Sequence, residues 1–112
     1  MWSAQPINGK SLSNKTLCLT FDDGPGETFG DVPGPKTINL AEYLNDQGIS
    51  ATFFVVGKYV ERYPCILPKL IQLGHLVGNH TYSHPDLVQK FNSGEDIFEE
   101  VTKTDILIRK YL

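Results

Sequence analysis

The sequence predicts an α/β fold built on a parallel sheet, and three observations carry that reading. Short apolar runs rich in β-branched and aromatic residues occur at Thr16 to Phe21 (TLCLTF), Ile49 to Val56 (ISATFFVV) and His75 to Asn79 (HLVGN). Stretches with helical spacing separate them, which implies right-handed strand–helix–strand crossovers. The second run is apolar nearly throughout, as a strand covered on both faces should be.

Taken in order, the first run closes on Asp22-Asp23-Gly24-Pro25, expected to be a sharp turn after a buried strand. Gly26 to Pro35 holds three glycines and two prolines and is expected to be a loop. Pro35 suits the first turn of a helix that carries Ile38, Ala41 and Leu44 on one face and stops at Gly48. After the second strand, a short helix is expected around Lys58 to Arg62. A longer one should run from Pro68 to Gly74, because Pro68 lacks a backbone donor and would kink a helix passing through it. The third strand, His75 to Asn79, is the weakest. Ser93 is read as the N-cap of a last helix, with Glu95 and Asp96 in its first turn. Ile97, Val101, Thr104, Ile108 and Leu112 would form its inner stripe, with Arg109 and Lys110 near its end. Residues 1–15 are set apart as a leader and 16–112 as the folded part, with no internal repeat.

Composition narrows the class. A chain of 112 residues is one domain at most, and 40% hydrophobic residues suffice for a core. A formal charge of −3 and a pI near 5.5 argue against a nucleic-acid partner, which would want a basic face. No apolar run reaches the roughly 18 residues of a membrane span. Met1 to Lys10 (MWSAQPINGK) lacks a basic and an apolar region, so it does not read as a signal peptide. The chain is therefore expected to be cytoplasmic, or secreted with its leader already removed. Cys18 and Cys65 show no CxxC spacing and are expected to be two small buried thiols.

Two clusters could do chemistry. Asp22 and Asp23 are adjacent carboxylates at the C-terminal end of the first strand, where parallel α/β folds bind ligands. Neighbouring carboxylates repel, so a cation or donor is needed beside them unless they simply cap a solvated turn. His80-Thr81-Tyr82-Ser83-His84 follows the third strand and is stopped by Pro85. Two imidazoles at this spacing can meet one ion, although in isolation two surface histidines in a turn would be the plainer reading. Together the clusters face the same side of the sheet. One aspartate and two histidines make a site with open positions for water and substrate, as hydrolytic zinc requires. A second carboxylate off the metal is what a general base needs.

TFDDGP (Thr20 to Pro25) and the H-[ST]-x-x-H pattern of His80 to His84 resemble the first two motifs of the polysaccharide deacetylase family, the NodB-homology domain or carbohydrate esterase family 4. ATFFVVG (Ala51 to Gly57) and GHLVGNHTYSH (Gly74 to His84) are similar to family sequence as well, so the resemblance runs from Leu17 to the C-terminus. It implies a deformed (β/α) barrel, of which residues 16–112 supply about the first half. It further implies that Asp22 is the general base and that Asp23, His80 and His84 hold a divalent metal, usually Zn²⁺. Thr81 would steady the histidine loop. The implied substrate is an N-acetylated glycan, chitin-type or peptidoglycan-type, losing N-acetyl or O-acetyl groups to an activated water. Members are often secreted or bound to the cell wall. His75 is expected to be structural, and Asn79 and Tyr82 to be packing or loop residues.

The later family motifs are absent: an Arg-Pro-Pro-Tyr type segment, an Asp segment with a Trp, and a Leu-x-His segment. Trp2, in the leader, cannot replace the second of these. The Gly26 to Pro35 loop is longer than the usual link. The chain alone is therefore expected to lack activity, and its open sheet edges imply either self-association or a longer polypeptide. A non-catalytic metal- or carbohydrate-binding remnant of the same fold is the alternative.

Overall fold

Three parallel strands, β1 (Thr20–Gly24), β2 (Thr52–Val55) and β3 (Leu76–Asn79), lie side by side in sequence order, with β2 in the middle. The computed structural model describes residues 9–25 and 35–112. The expected loop at 26–34 and Trp2 lie outside these. α1 (Pro35–Asp46) crosses from β1 to β2; α2 (Gly57–Arg62) and α3 (Ile66–Gln72) cross from β2 to β3; α4 (Leu87–Asn92) and α5 (Phe98–Arg109) follow. A 3-10 turn at Gly9–Ser11 precedes them. No described helix is long and apolar enough to cross a membrane.

The core forms where α1 and α3 cover the sheet. Ala41 and Leu44 of α1, Phe53 and Val55 of β2, and Ile66, Leu67 and Leu70 of α3 are buried together. Ile38 packs against them from the same face of α1, as the spacing predicts, and Gly48 closes the helix at φ 71°. Central β2 buries Phe53 and Val55 and leaves Thr52 and Phe54 half-buried.

Several expectations need correction. The first strand lies four residues later than its apolar run, so Asp22 and Asp23 stand inside β1 rather than in a turn after it. Leu17 and Cys18 precede the strand and are exposed, because β1 is an edge with no second neighbour among the described residues. Cys65 is also exposed, at the turn into α3, so neither thiol is buried. α3 begins at Ile66, ahead of Pro68: that proline falls in the first turn, where its missing N–H has no helical partner to lose. α4 was not expected at all, although Asp86 caps it by accepting from Gln89 N at 3.0 Å, an acceptor-x-x-Gln signature legible in the sequence.

α4 also displaces the last helix. Ser93 ends α4, its hydroxyl donating to Gln89 O, and Gly94 turns the chain at φ 79°. α5 therefore starts at Phe98, where Asp96 Oδ1 accepts from Phe98 N at 2.9 Å. Its buried face is Glu100, Thr104 and Ile108; Val101 and Leu112, expected inside, are exposed. Leu76 on edge strand β3 and Phe98 and Ile106 on α5 are exposed apolar groups as well.

Candidate metal centre

The C-terminal ends of all three strands contribute to one site. Thr20 and Phe21 pair with Thr52 and Phe53, but Gly24 pairs with Val55, so Asp22 and Asp23 together oppose the single residue Phe54. This is a β-bulge, and Asp23 adopts φ 69° within it. In an unbroken strand adjacent side chains point to opposite faces. The extra residue lets both aspartates line one groove of about 720 Å³, alongside Phe21, Leu40, Tyr59 and His84.

Asp23 reaches the histidines. Its Oδ1 lies 3.0 Å from His80 Nε2 and 3.1 Å from His84 Nε2, and the three ligand atoms lie within 4.8 Å of one another. The imidazole rings are 5.0 Å apart and tilted by 31°. Two nitrogens and a carboxylate oxygen suit Zn²⁺ or a similar ion. A tetrahedral shell with bonds of about 2.0–2.1 Å has ligand separations of about 3.3 Å, close to the two contacts seen. The residues present therefore fit a divalent metal. Asp22 stands apart from this trio, exposed on the groove wall and in no ion pair among the described residues.

The histidine loop is held in a demanding shape. Thr81 and His84 take φ 66° and 58°, left-handed conformations that cost on the order of 1–3 kcal/mol each for such residues and persist only where surroundings enforce them. Several bonds enforce this one. His80 N donates to Val55 O at 2.9 Å, and Gly57 N and Lys58 N donate to Thr81 O and Tyr82 O at 2.9 Å each. Asn79 Oδ1 accepts from Thr81 N at 2.9 Å while Asn79 Nδ2 donates to Val101 O at 2.8 Å, tying the loop to α5. Thr81 Oγ1 accepts from His84 N at 3.2 Å, a bond within the loop. Gly57 must be glycine: a Cβ there would run into Thr104 Oγ1 and the Tyr82 ring.

Glu100 supplies the largest set of bonds. Its Oε2 accepts from Tyr82 N at 3.1 Å and Ser83 N at 2.8 Å, and its Oε1 accepts from Ser83 Oγ at 2.8 Å and Lys90 Nζ at 3.3 Å. Burial opposes its charge, but the Ser83 amide and hydroxyl together with Lys90 outweigh that and hold the carboxyl below its ordinary value. Sequence reasoning missed both Glu100 and Gly57. The signal for Glu100 was the four-residue spacing of Glu100, Thr104 and Ile108, which puts a carboxylate on the buried face, where a charge demands partners.

His75, at the other end of β3, is 4% exposed and fully engaged. Its Nδ1 accepts from Ala51 N at 3.1 Å and its Nε2 donates to Ala41 O at 2.8 Å. Those partners require the neutral ring protonated on Nε2, and no lone pair is left for a metal.

The profile of the polysaccharide deacetylase family matches residues 9–112. The peptidoglycan-N-acetylglucosamine deacetylase of Bacillus cereus is 36% identical over 94 residues, which are 84% of this chain and 31% of that protein. The chitooligosaccharide deacetylase of Rhizobium leguminosarum bv. trifolii is 33% identical over 103 residues, 92% of this chain and 44% of that one. The solved structure of a family 4 carbohydrate esterase from Streptomyces lividans, in complex with acetate, superposes with a TM-score of 0.72 at 30% identity, covering 88% of this chain and 46% of the other. The chain thus spans less than half the length of these relatives, and its strands and helices form part of their NodB-type barrel. With the bulged Asp-Asp strand, the histidine loop and the family profile in agreement, the chain belongs to the polysaccharide deacetylase family.

Proposed function

We propose that this chain carries the metal-binding and general-base portion of a hydrolase that removes N-acetyl, or in some substrates O-acetyl, groups from a glycan of chitin or peptidoglycan type. The observation that supports this most is the convergence of Asp23, His80 and His84, with Asp22, Asp23 and His84 lining one groove. Asp23, His80 and His84 would hold the ion, with Zn²⁺ favoured by the donor set. When bound, such an ion supplies Lewis acidity toward the acyl carbonyl and acidifies water. Asp22, off the ligand set and open to the groove, accepts the proton of the attacking water. The Phe21, Leu40 and Tyr59 side chains form a partly apolar wall on which a sugar ring can rest. The names of the relatives cover both a peptidoglycan and a chitooligosaccharide substrate, and both carry N-acetylated glucosamine units.

The test is the metal content of protein purified without chelators, measured for wild type, His80→Ala and His84→Ala, together with acetate release from N-acetylated oligosaccharides. One ion per wild-type chain and little in either variant is the expected result. Equal metal in all three would overturn the site. Metal-dependent glycan binding with no acetate release, from this chain and from a longer version of it, would favour the non-catalytic remnant instead.

A further inference from the structure

We infer that Glu100 is a positioning residue that holds the His80–His84 loop in its ligand-presenting shape, so that metal affinity depends on a carboxylate that never touches the metal. The inference rests on the metal site proposed above. Each backbone N–H of the loop has a partner: His80 N finds Val55 O, Thr81 N finds Asn79 Oδ1, and His84 N finds Thr81 Oγ1. The two central ones, Tyr82 N and Ser83 N, both converge on the single oxygen Oε2 of Glu100. Those two residues lie between the histidines, flanked by Thr81 and His84 in left-handed conformations. Glu100 comes from α5, is 7% exposed, and has its second oxygen occupied by Ser83 Oγ and Lys90 Nζ. The loop apex is thus folded around a buried anion anchored on a separate helix.

A glutamine at this position keeps the size of the side chain but removes its charge: with its oxygen on the two amides, its Nε2 group faces the Ser83 hydroxyl and the Lys90 ammonium, which loses its acceptor. The loop amides would keep only a neutral acceptor, about half as strong as a carboxylate, and the hold on Thr81 and His84 at positive φ would loosen. Outer-shell groups that orient metal ligands commonly control affinity by about 10- to 100-fold.

The experiment is Zn²⁺ affinity by chelator competition, on wild type, Glu100→Gln, Ser83→Ala and His75→Ala, each at a temperature where circular dichroism shows it folded. Glu100→Gln should bind Zn²⁺ about 10- to 100-fold more weakly. Ser83→Ala, which deletes one bond from the loop side and leaves the helix intact, should lose about three- to tenfold, and should add little in the Glu100→Gln background. His75→Ala weakens the core far from the loop and should bind as wild type does. That comparison separates positioning from general destabilisation. Should Glu100→Gln fail to fold, Ser83→Ala decides alone. Wild-type affinity in the Glu100 and Ser83 variants overturns the positioning role and leaves the metal site standing. A wild-type chain that binds no Zn²⁺ overturns the site itself and the inference with it.

Discussion

His75 and His80 stand at opposite ends of β3 and are used in opposite ways. At the start of the strand, both nitrogens of His75 are spent on backbone groups of β2's approach and α1, inside the core. Just past its end, His80 and His84 turn their Nε2 atoms toward one carboxylate oxygen, with side chains 29% and 57% exposed. The residue type is the same; the partners decide the role. Backbone donors and acceptors saturate an imidazole and make it a structural link, whereas a carboxylate and a second imidazole leave lone pairs for an ion. The division follows the polarity of a parallel sheet, which places ligand sites at the C-terminal ends of its strands.

The strongest test of that contrast is Asp23→Asn. It tolerates the left-handed backbone at that position, yet it removes the charge of a ligand proposed above. Zn²⁺ affinity should fall by more than the about 10- to 100-fold typical of outer-shell changes, while the stability of the metal-free protein shifts by less than about 0.5 kcal/mol. A large loss of stability with metal binding retained would break the comparison at its functional end.

Asp22→Asn sharpens it further, by splitting two neighbours within one bulge. Metal content should hold, and acetate release, wherever it is measurable, should drop by about two to four orders of magnitude. The reverse outcome, with Asp22→Asn stripping the metal and Asp23→Asn sparing it, would exchange the two roles.

At the structural end, His75→Ala leaves Ala51 N and Ala41 O without their partners in the core. Unfolding by denaturant should show a loss of about 2–4 kcal/mol, with Zn²⁺ bound per folded molecule unchanged. A variant as stable as wild type would mean that water replaces the ring without cost.

The smallest effect concerns pH. Glu100 has its carboxyl held below the ordinary value of 4.5, chiefly by Ser83 and Lys90 against the cost of burial. A depressed carboxyl stabilises the fold fully above its unfolded value, and that contribution disappears as the pH falls through the folded one. Wild type should therefore lose stability more steeply than Glu100→Gln as the pH falls through 4.5 and below, while the gap between them is constant well above it. Parallel curves across the whole range would show that the loop contacts do not favour the charged form.

Much of the architecture was legible because it rests on local signals. Apolar β-branched runs marked β2 and β3, the Ile38, Ala41 and Leu44 stripe with Gly48 marked α1, and the spacing of His80 and His84 marked a place where two ring nitrogens could meet. The family motifs added roles to residues already singled out. What the sequence left undecided depends on distant partners. The apolar run before Asp22 reads as a strand, but which four or five residues pair is settled by the register with β2, and that register puts both aspartates in a bulge. Pro68 looks like a helix start, yet the neighbouring core accepts Ile66 and Leu67 ahead of it. Ser93 could cap either the helix before it or the one after, and its bond to Gln89 O decides. Glu100 looks like one more acid on a charged helix. Only the fold, by bringing the apex of the histidine loop against α5, gives that carboxylate two amides to hold, because hydrogen bonds between residues 17 and 18 apart are invisible to any local pattern.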